Sequence, residues 1–290
     1  MRHPRIHAIC PALNEEVFIG NTLSALYPYC SGISVLTQYD RDWYGKPVRP
    51  DRTIQIVADF PDPEGKIQLV LRRWRDQAAA LNCEMTAVAS RAHRGVGSHG
   101  STSEQIRALH DAPDYFLIVD ADEIYDSETL PRIIDYVMVK RPRAARVHGY
   151  NYLRSWNRRV PREVVRFCHF GFVRTGLRFE HIREITWNEH RFSKALRMLR
   201  LPDFSARLFG FITVPPDVGH FHHGCWLGDN ARLAAKARKS AHTWADTPDY
   251  AASVDRYPTV HIPTFDLPRN IREAEWPEGW IERGARGSGC

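Results

Sequence analysis

Tyr115-Phe-Leu-Ile-Val-Asp120-Ala121-Asp122-Glu123 is an apolar run that stops abruptly in three carboxylates. A run this short and continuous reads as a strand covered on both faces, as in the middle of a mostly parallel sheet, and ligands of such sheets gather beyond the strands' carboxyl ends. Carboxylates crowded at that edge repel one another unless a cation lies between them. Hard divalent ions such as Mg2+ and Mn2+ take one or two carboxylates plus phosphate oxygens. Asp120-Ala121-Asp122 is therefore expected to clamp a metal ion and a diphosphate; the plainer alternative is an acid cluster capping a helix.

Outward from that strand the chain alternates. Arg5 to Ile9 reads as a strand, Pro11-Ala-Leu-Asn14-Glu15-Glu16 as a polar turn, and Val17 to Leu26 as a helix with Asn14 as its N-cap. Ile33 to Leu36, Thr53 to Val57 and Lys66 to Leu71 read as strands, and Arg75 to Met85 as a helix. His93 to Gly100 reads as a loop, followed by the capping box Ser101-Thr-Ser-Glu104 and a helix to Leu109. Ser127 is expected to cap a helix with Leu130, Ile133, Ile134, Val137 and Met138 on one face. This alternation implies an α/β layered domain to about Lys140.

Beyond it, Arg146 to Arg154 and Val164 to Arg174 read as paired strands, Phe192 to Leu199 as a basic helix, and Asp229 to Trp244 as a long helix. The segment from Pro258 has no periodicity and is expected to wrap or trail. Three parts result: residues 1–140, 141–257, and an irregular tail, 258–290.

At 290 residues and 43% hydrophobic content the chain can bury a real core. It carries 40 Lys+Arg against 34 Asp+Glu, which favours anionic partners. Arginines gather between Arg141 and Arg178 among Tyr150, Tyr152, Trp156, Phe167 and Phe170, a mixture that suits nucleic acid or, more plainly, a solvated basic surface over core aromatics. The six cysteines form no C-x-x-C pair, there is no signal-peptide pattern, and no apolar stretch is long enough to span a bilayer, so a reducing, cytoplasmic setting without a membrane segment is expected.

Four motifs in this order resemble the family-2-like glycosyltransferases of GT-A fold, which move a sugar from a nucleotide diphosphate to an acceptor. They are Pro11-Ala-Leu-Asn14-Glu15-Glu16 after the first strand, Ser103-Glu104-Gln105-Ile106-Arg107 before the central strand, Asp120-Ala-Asp122-Glu123 as a D-x-D-E signature, and His222-His223-Gly-Cys-Trp226 with Lys236 and His242 downstream. The resemblance implies a Rossmann-like layered domain with a mixed central sheet, whose residues 1–140 bind the nucleotide sugar. Residues 141–257 then form an acceptor-side extension that completes the metal site. It implies a metal-dependent hexosyltransferase, using Mn2+ or Mg2+ and a UDP-type donor and inverting the anomeric centre. Its donor contacts would be Pro11, Ala12, Leu13, Asn14, Glu16, Asp40, Gln105, Arg107, Asp120, Ala121 and Lys236. Thr37-Gln-Tyr-Asp40-Arg-Asp42 departs from the usual acid pair after the second strand, and Asp40 is the residue carried over.

The metal would be held by Asp120, Asp122, His222 and His223, with His220 a third imidazole and Lys239 an alternative to Lys236. Glu184 would be the base for the acceptor hydroxyl, with Glu180 and Glu189 as alternatives. The acceptor would be a saccharide, a protein, or a hydroxylated base in DNA. Two readings from other classes stand beside this: a basic nucleic-acid-binding protein without catalysis, and a metal-dependent phosphatase using the first aspartate as nucleophile.

Overall fold

The computed structural model describes residues 4–43, 45–94, 112–161, 171–181, 184–185, 210–239, 255 and 257–282. Its strands are β1 (Ile6–Pro11), β2 (Gly32–Thr37), β3 (Ile67–Leu71), β4 (Tyr115–Ile118), β5 (Glu123–Tyr125), β6 (Ala144–Arg146), β7 (His148–Arg154), β8 (Arg158–Arg159), β9 (Phe172–Val173), β10 (Phe179–His181), β11 (Glu184–Ile185), β12 (Phe211–Thr213), β13 (His220–Leu227) and β14 (Val260–His261). The helices are α1 (Ile19–Leu26), α2 (Thr53–Asp59), α3 (Gln77–Arg94), α4 (Thr129–Lys140), α5 (Asn230–Lys239) and α6 (Arg269–Arg272).

The chain is a mixed α/β protein with a mixed central sheet. Seven strands run in the order β12-β6-β9-β4-β1-β2-β3. β3, β2, β1 and β4 are parallel, whereas β9 is antiparallel to both of its neighbours. The apolar run of β4 follows from burial on both faces. Tyr115 and Leu117 join Ile6, Ala8 and Cys10 in a core closed by α1 and α4 (Leu23, Ile133, Val137), while Phe116 and Ile118 join Ile9 and Leu36 against α3 (Leu81, Met85). Each Leu, Ile, Val, Phe or Met among them, removed from water, contributes roughly 1.5–3 kcal/mol.

From β1 the chain passes to β2 on one side and, later, to β4 on the other. The switch point of the topology therefore lies at the carboxyl ends of β1 and β4, where an α/β sheet takes its ligands.

A second sheet runs β14-β8-β7-β13-β5, its edge strand β5 following the turn after β4. β13 lies antiparallel to β5, with His223 opposite Glu123 and His222 opposite Ile124, and parallel to β7. The tail packs instead of trailing: Leu267, Ile271 and Trp280 close a core with Phe18, Ile124, Tyr152, Trp156 and Leu227. Among the described residues, no helix is long and apolar enough to cross a membrane.

Several local expectations are corrected. Residues 53 to 57 are helical, because Thr53 and Val57 lie one turn apart on the buried side and the Thr53 N–H donates to Asp51 Oδ1 at 2.8 Å. Asn14 does not cap α1, which starts at Ile19 after Phe18. Asn14 has a left-handed φ of 55°, and its amide spans Arg49 O (2.9 Å) and Asp51 N (3.2 Å). Ser127 yields to Glu128 as the residue preceding α4, and Asp126 Oδ1 accepts from the Glu128 N–H at 2.9 Å. Of the strand read over Val164–Arg174, residues 164–170 lie outside the described residues, and the described part, β9, pairs with β6 and β4, whereas β7 lies between β8 and β13. The helices read over 101–109 and 192–199, and the far half of the one read over 229–244, lie outside the described residues.

Candidate active site

Three distant segments meet at the carboxyl ends of β1 and β4. The turn after β4 supplies Asp122, the turn after β1 supplies Glu15, and α5 supplies Lys236. Lys236 Nζ donates to Glu15 Oε1 at 3.0 Å and to Asp122 Oδ2. His223 approaches the other oxygen of the same carboxylate, with Nε2 3.5 Å from Asp122 Oδ1. The register of β13 against β5 causes this: the Gly224 N–H donates to Asp122 O at 2.9 Å, which holds the turn against the strand beside His223.

His223 is oriented from behind. Its Nδ1 lies 2.8 Å from Asn151 Oδ1, which fixes the ring with Nε2 directed at Asp122.

Burial pushes the Asp122 carboxyl upward, but the Lys236 ammonium and the His223 ring outweigh it and hold the group well below the usual carboxylate range. Glu15 moves the other way: burial raises it and Asp122 adds to the rise, against Lys236 and Arg232. Burial opposes the charge on Lys236, but Asp122 and Glu15 more than compensate, and its pKa is raised. The site therefore sets one ammonium between two carboxylates of unequal acidity.

The expected residues divide. Asp120 is half-buried beside this group and takes Gln77 Nε2 on Oδ1 at 3.2 Å, while its N–H donates to Glu123 Oε2 at 3.1 Å. Pro11, Ala12 and Leu13 are buried where β1 ends, with the Ala12 N–H donating to Leu36 O at 2.9 Å. Ala121 is buried, and its carbonyl accepts from Thr22 Oγ1 at 2.5 Å.

Asn14 and Glu16 are turned to the segment before α2: Glu16 Oε2 accepts from the Arg52 N–H at 3.1 Å. Asp40 is drawn to Arg73 (2.5 Å) with its side chain 41% exposed, and that guanidinium's hydrogen bond lowers its pKa. His222 points to the opposite face of β13 from His223, where Tyr152 OH meets its Nδ1 at 2.8 Å and the His220 ring lies 4.9 Å away.

Glu184 lies in β11, and its side chain, like those of Glu180 and Lys239, is outside the described residues, as are Gln105, Arg107, Glu189 and His242.

Sequence reasoning missed Glu15, Gln77, Asn151 and Arg232. Glu15 was at hand between two residues that were chosen, but only the left-handed Asn14 reveals which of the three polar side chains turns inward. Arg232 shares a face of α5 with Lys236, one turn earlier. Its guanidinium lies 5.1 Å from the Phe18 ring and 4.9 Å from Trp280, and donates to the carbonyls of Cys225 (3.3 Å) and Leu227 (2.5 Å).

No group of three or more His, Cys, Asp or Glu among the described residues forms a ready-made metal cage. The donors present nevertheless fit Mn2+ or Mg2+, which are held by one or two carboxylates and complete their shells with phosphate oxygens and water. Asp122 and Asp120 are hard oxygen donors, and the His223 imidazole, with Nε2 3.5 Å from Asp122 Oδ1, suits an ion that accepts imidazole, such as Mn2+.

Neither a protein-family model nor a curated protein sequence matches the chain. Among solved structures it is similar to S. aureus TarS 1–349, at 14% identity and a TM-score of 0.36, over 87% of this chain and 71% of that one. The same fragment in complex with UDP-GlcNAc gives 13% identity and a TM-score of 0.36, over 87% and 72%. Glucosyl-3-phosphoglycerate synthase from Mycobacterium tuberculosis in complex with Mn2+, UDP and phosphoglyceric acid gives 14% and 0.38, over 90% and 87%. No family assignment follows from these likenesses.

Proposed function

We propose that the chain is a nucleotide-sugar-dependent glycosyltransferase of GT-A type. One observation carries the reading: at the ligand-binding edge of the central sheet, an acidic turn is met by an imidazole and an ammonium, the latter 114 residues further on. A carboxylate held ionised, beside a cationic side chain and a metal-competent imidazole, suits a diphosphate carried with a divalent ion.

In this reading Asp120, Asp122 and His223 hold Mn2+ or Mg2+. His222, on the other face, supports β13 through Tyr152. When bound, the ion supplies neutralisation of the diphosphate as the sugar departs. Pro11, Ala12 and Leu13 border the nucleotide with their main chain, Asn14 and Glu16 fix that border by tying it to residues 49–52, and Lys236 meets the phosphates. The donor is a UDP-hexose, and the acceptor is a hydroxyl deprotonated by Glu184 with inversion. β10, which carries Phe179 in the same hairpin, is anchored on α3 by Asn82, whose Nδ2 donates to Phe179 O (2.7 Å) and whose Oδ1 accepts from the Phe179 N–H (2.8 Å). Gln77, at the start of the same helix, reaches Asp120, so one rigid element links donor and acceptor sides.

The test is a screen of nucleotide sugars for slow donor hydrolysis, read by mass spectrometry, followed by acceptor trials with saccharides, peptides and hydroxymethylated DNA. Asp122→Asn abolishes both hydrolysis and transfer, and EDTA silences the wild type until Mn2+ is returned. Turnover retained by the folded variant refutes the proposal.

A further inference from the structure

Lys236 touches Asp122 and Glu15 at once, and its ammonium is the positive charge that two neighbouring carboxylates require. A divalent ion taking Asp122 with His223 would bring two further positive charges against that ammonium while competing for the carboxylate it holds. Lys236 sits on α5, a helix pinned by Arg232 between the Phe18 and Trp280 rings, so relief cannot come from withdrawal of the helix. It can come from the side chain, whose ammonium stands 5.9 Å from the Phe18 ring centre on a four-carbon stem able to turn toward an incoming anion.

We propose that Lys236 is a resident counter-ion of the donor site: it occupies the charge position beside Asp122 while the site is empty, disfavours a metal ion arriving alone, and transfers to the diphosphate when metal and nucleotide arrive together. Metal and nucleotide binding then favour each other through one side chain that has two anionic partners. Glu15 is its positioning residue, keeping the ammonium beside Asp122 when no phosphate is present. The inference rests on the donor-site reading above and deepens it.

Removing the charge has opposite effects on the two ligands, which a merely structural role would not produce. The 290-residue chain is titrated with Mn2+ alone, following free Mn2+ by electron paramagnetic resonance, and separately with UDP at saturating Mn2+ by calorimetry. Lys236→Met and Lys236→Gln are expected to bind Mn2+ alone about tenfold more tightly than wild type and UDP about tenfold more weakly, within the usual range of coupling between sites. Lys236→Arg, which keeps the charge, is expected to bind Mn2+ as weakly as wild type and serves if the neutral variants do not fold. Neutral, folded variants whose Mn2+ affinity is unchanged or lower, or an arginine variant with tighter Mn2+ binding, overturn the counter-ion proposal while leaving the donor site intact. A wild type that binds no UDP at any Mn2+ concentration overturns the donor-site reading itself, and the counter-ion proposal with it.

Discussion

Substituting Gly224 by alanine tests how tightly the candidate site is braced. A Cβ at this position would stand 2.5 and 2.9 Å from two ring carbons of Phe18 and 3.1 Å from Leu227 Cδ1. Phe18 has little room to yield. Its ring centre lies 6.5 Å from Trp156, 5.7 Å from Trp276 and 5.5 Å from Trp280, and Arg232 covers it at 5.1 Å. Inserting a methyl group into such a filled core costs about 1–3 kcal/mol. Because the Gly224 N–H also holds Asp122 O, the same displacement disturbs the turn that carries Asp122.

Gly20→Ala provides the opposite sign. Its Cβ meets only Ile56 Cγ2, at 3.7 Å, in the first turn of α1, so the substitution stabilises by about 0.4–1 kcal/mol through the unfolded chain. Urea denaturation followed by circular dichroism, with stability taken from midpoints at constant slope, separates the two variants by about 1.5–4 kcal/mol. Donor hydrolysis falls in Gly224→Ala alone. A Gly224→Ala protein within about 0.5 kcal/mol of wild type would show that the aromatic cluster yields freely and would refute the reasoning.

Two further outcomes follow from the fold. His7 is held at a pKa of about 4, chiefly by burial and then by Arg91, with Nε2 2.9 Å from Ser34 Oγ, whose hydroxyl donates to Glu84 at 2.8 Å. Its folded pKa lies below the unfolded value of 6.5, so its share of stability is complete above that pH and lost as pH falls toward 4, amounting to about 3 kcal/mol at that point. His7→Gln should flatten the stability profile between pH 7 and 4 by that amount, and coincident profiles would exclude the mechanism. Asn82→Ala removes both bonds to the Phe179 backbone and leaves buried groups unpaired, an expected loss of about 1–3 kcal/mol. Hydrogen exchange at the Phe179 amide should quicken more than exchange in β4, and equal protection would count against a local anchor.

The parts of this fold that were legible in sequence are those with one dominant local signal. β1, β2, β3 and β4 are short apolar runs between polar turns, and α4 shows Leu130, Ile133, Ile134 and Val137 at helical spacing. The switch from β1 to β4 puts the acidic end of the central strand at the sheet edge where α/β proteins take their ligands.

Elements decided by distant partners were not legible. Thr53-Ile-Gln-Ile-Val57 has the β-branched composition of a strand, yet packing of Ile56 beside Gly20 and capping by Asp51 make it helical. Asn14 has the chemistry of a helix cap, but spends its amide on residues 49 and 51. His222 and His223 are adjacent in sequence and opposite in space. The period of two in β13 decides which imidazole reaches Asp122, and the sign of that alternation comes only from the register with β5.

The contact between Lys236 and Glu15 joins residues 221 positions apart, and β13 must slide between β5 and β7 before either side chain has its neighbours. Such long-range closure is slow compared with local helix or hairpin formation. On the ribosome, the first parallel strands can therefore pair while the turns after β1 and β4 still lack their ammonium and imidazole. The group Glu15, Asp122, His223 and Lys236 is complete only with the emergence of α5, which makes the Lys236–Glu15 contact a late and sensitive reporter of complete folding.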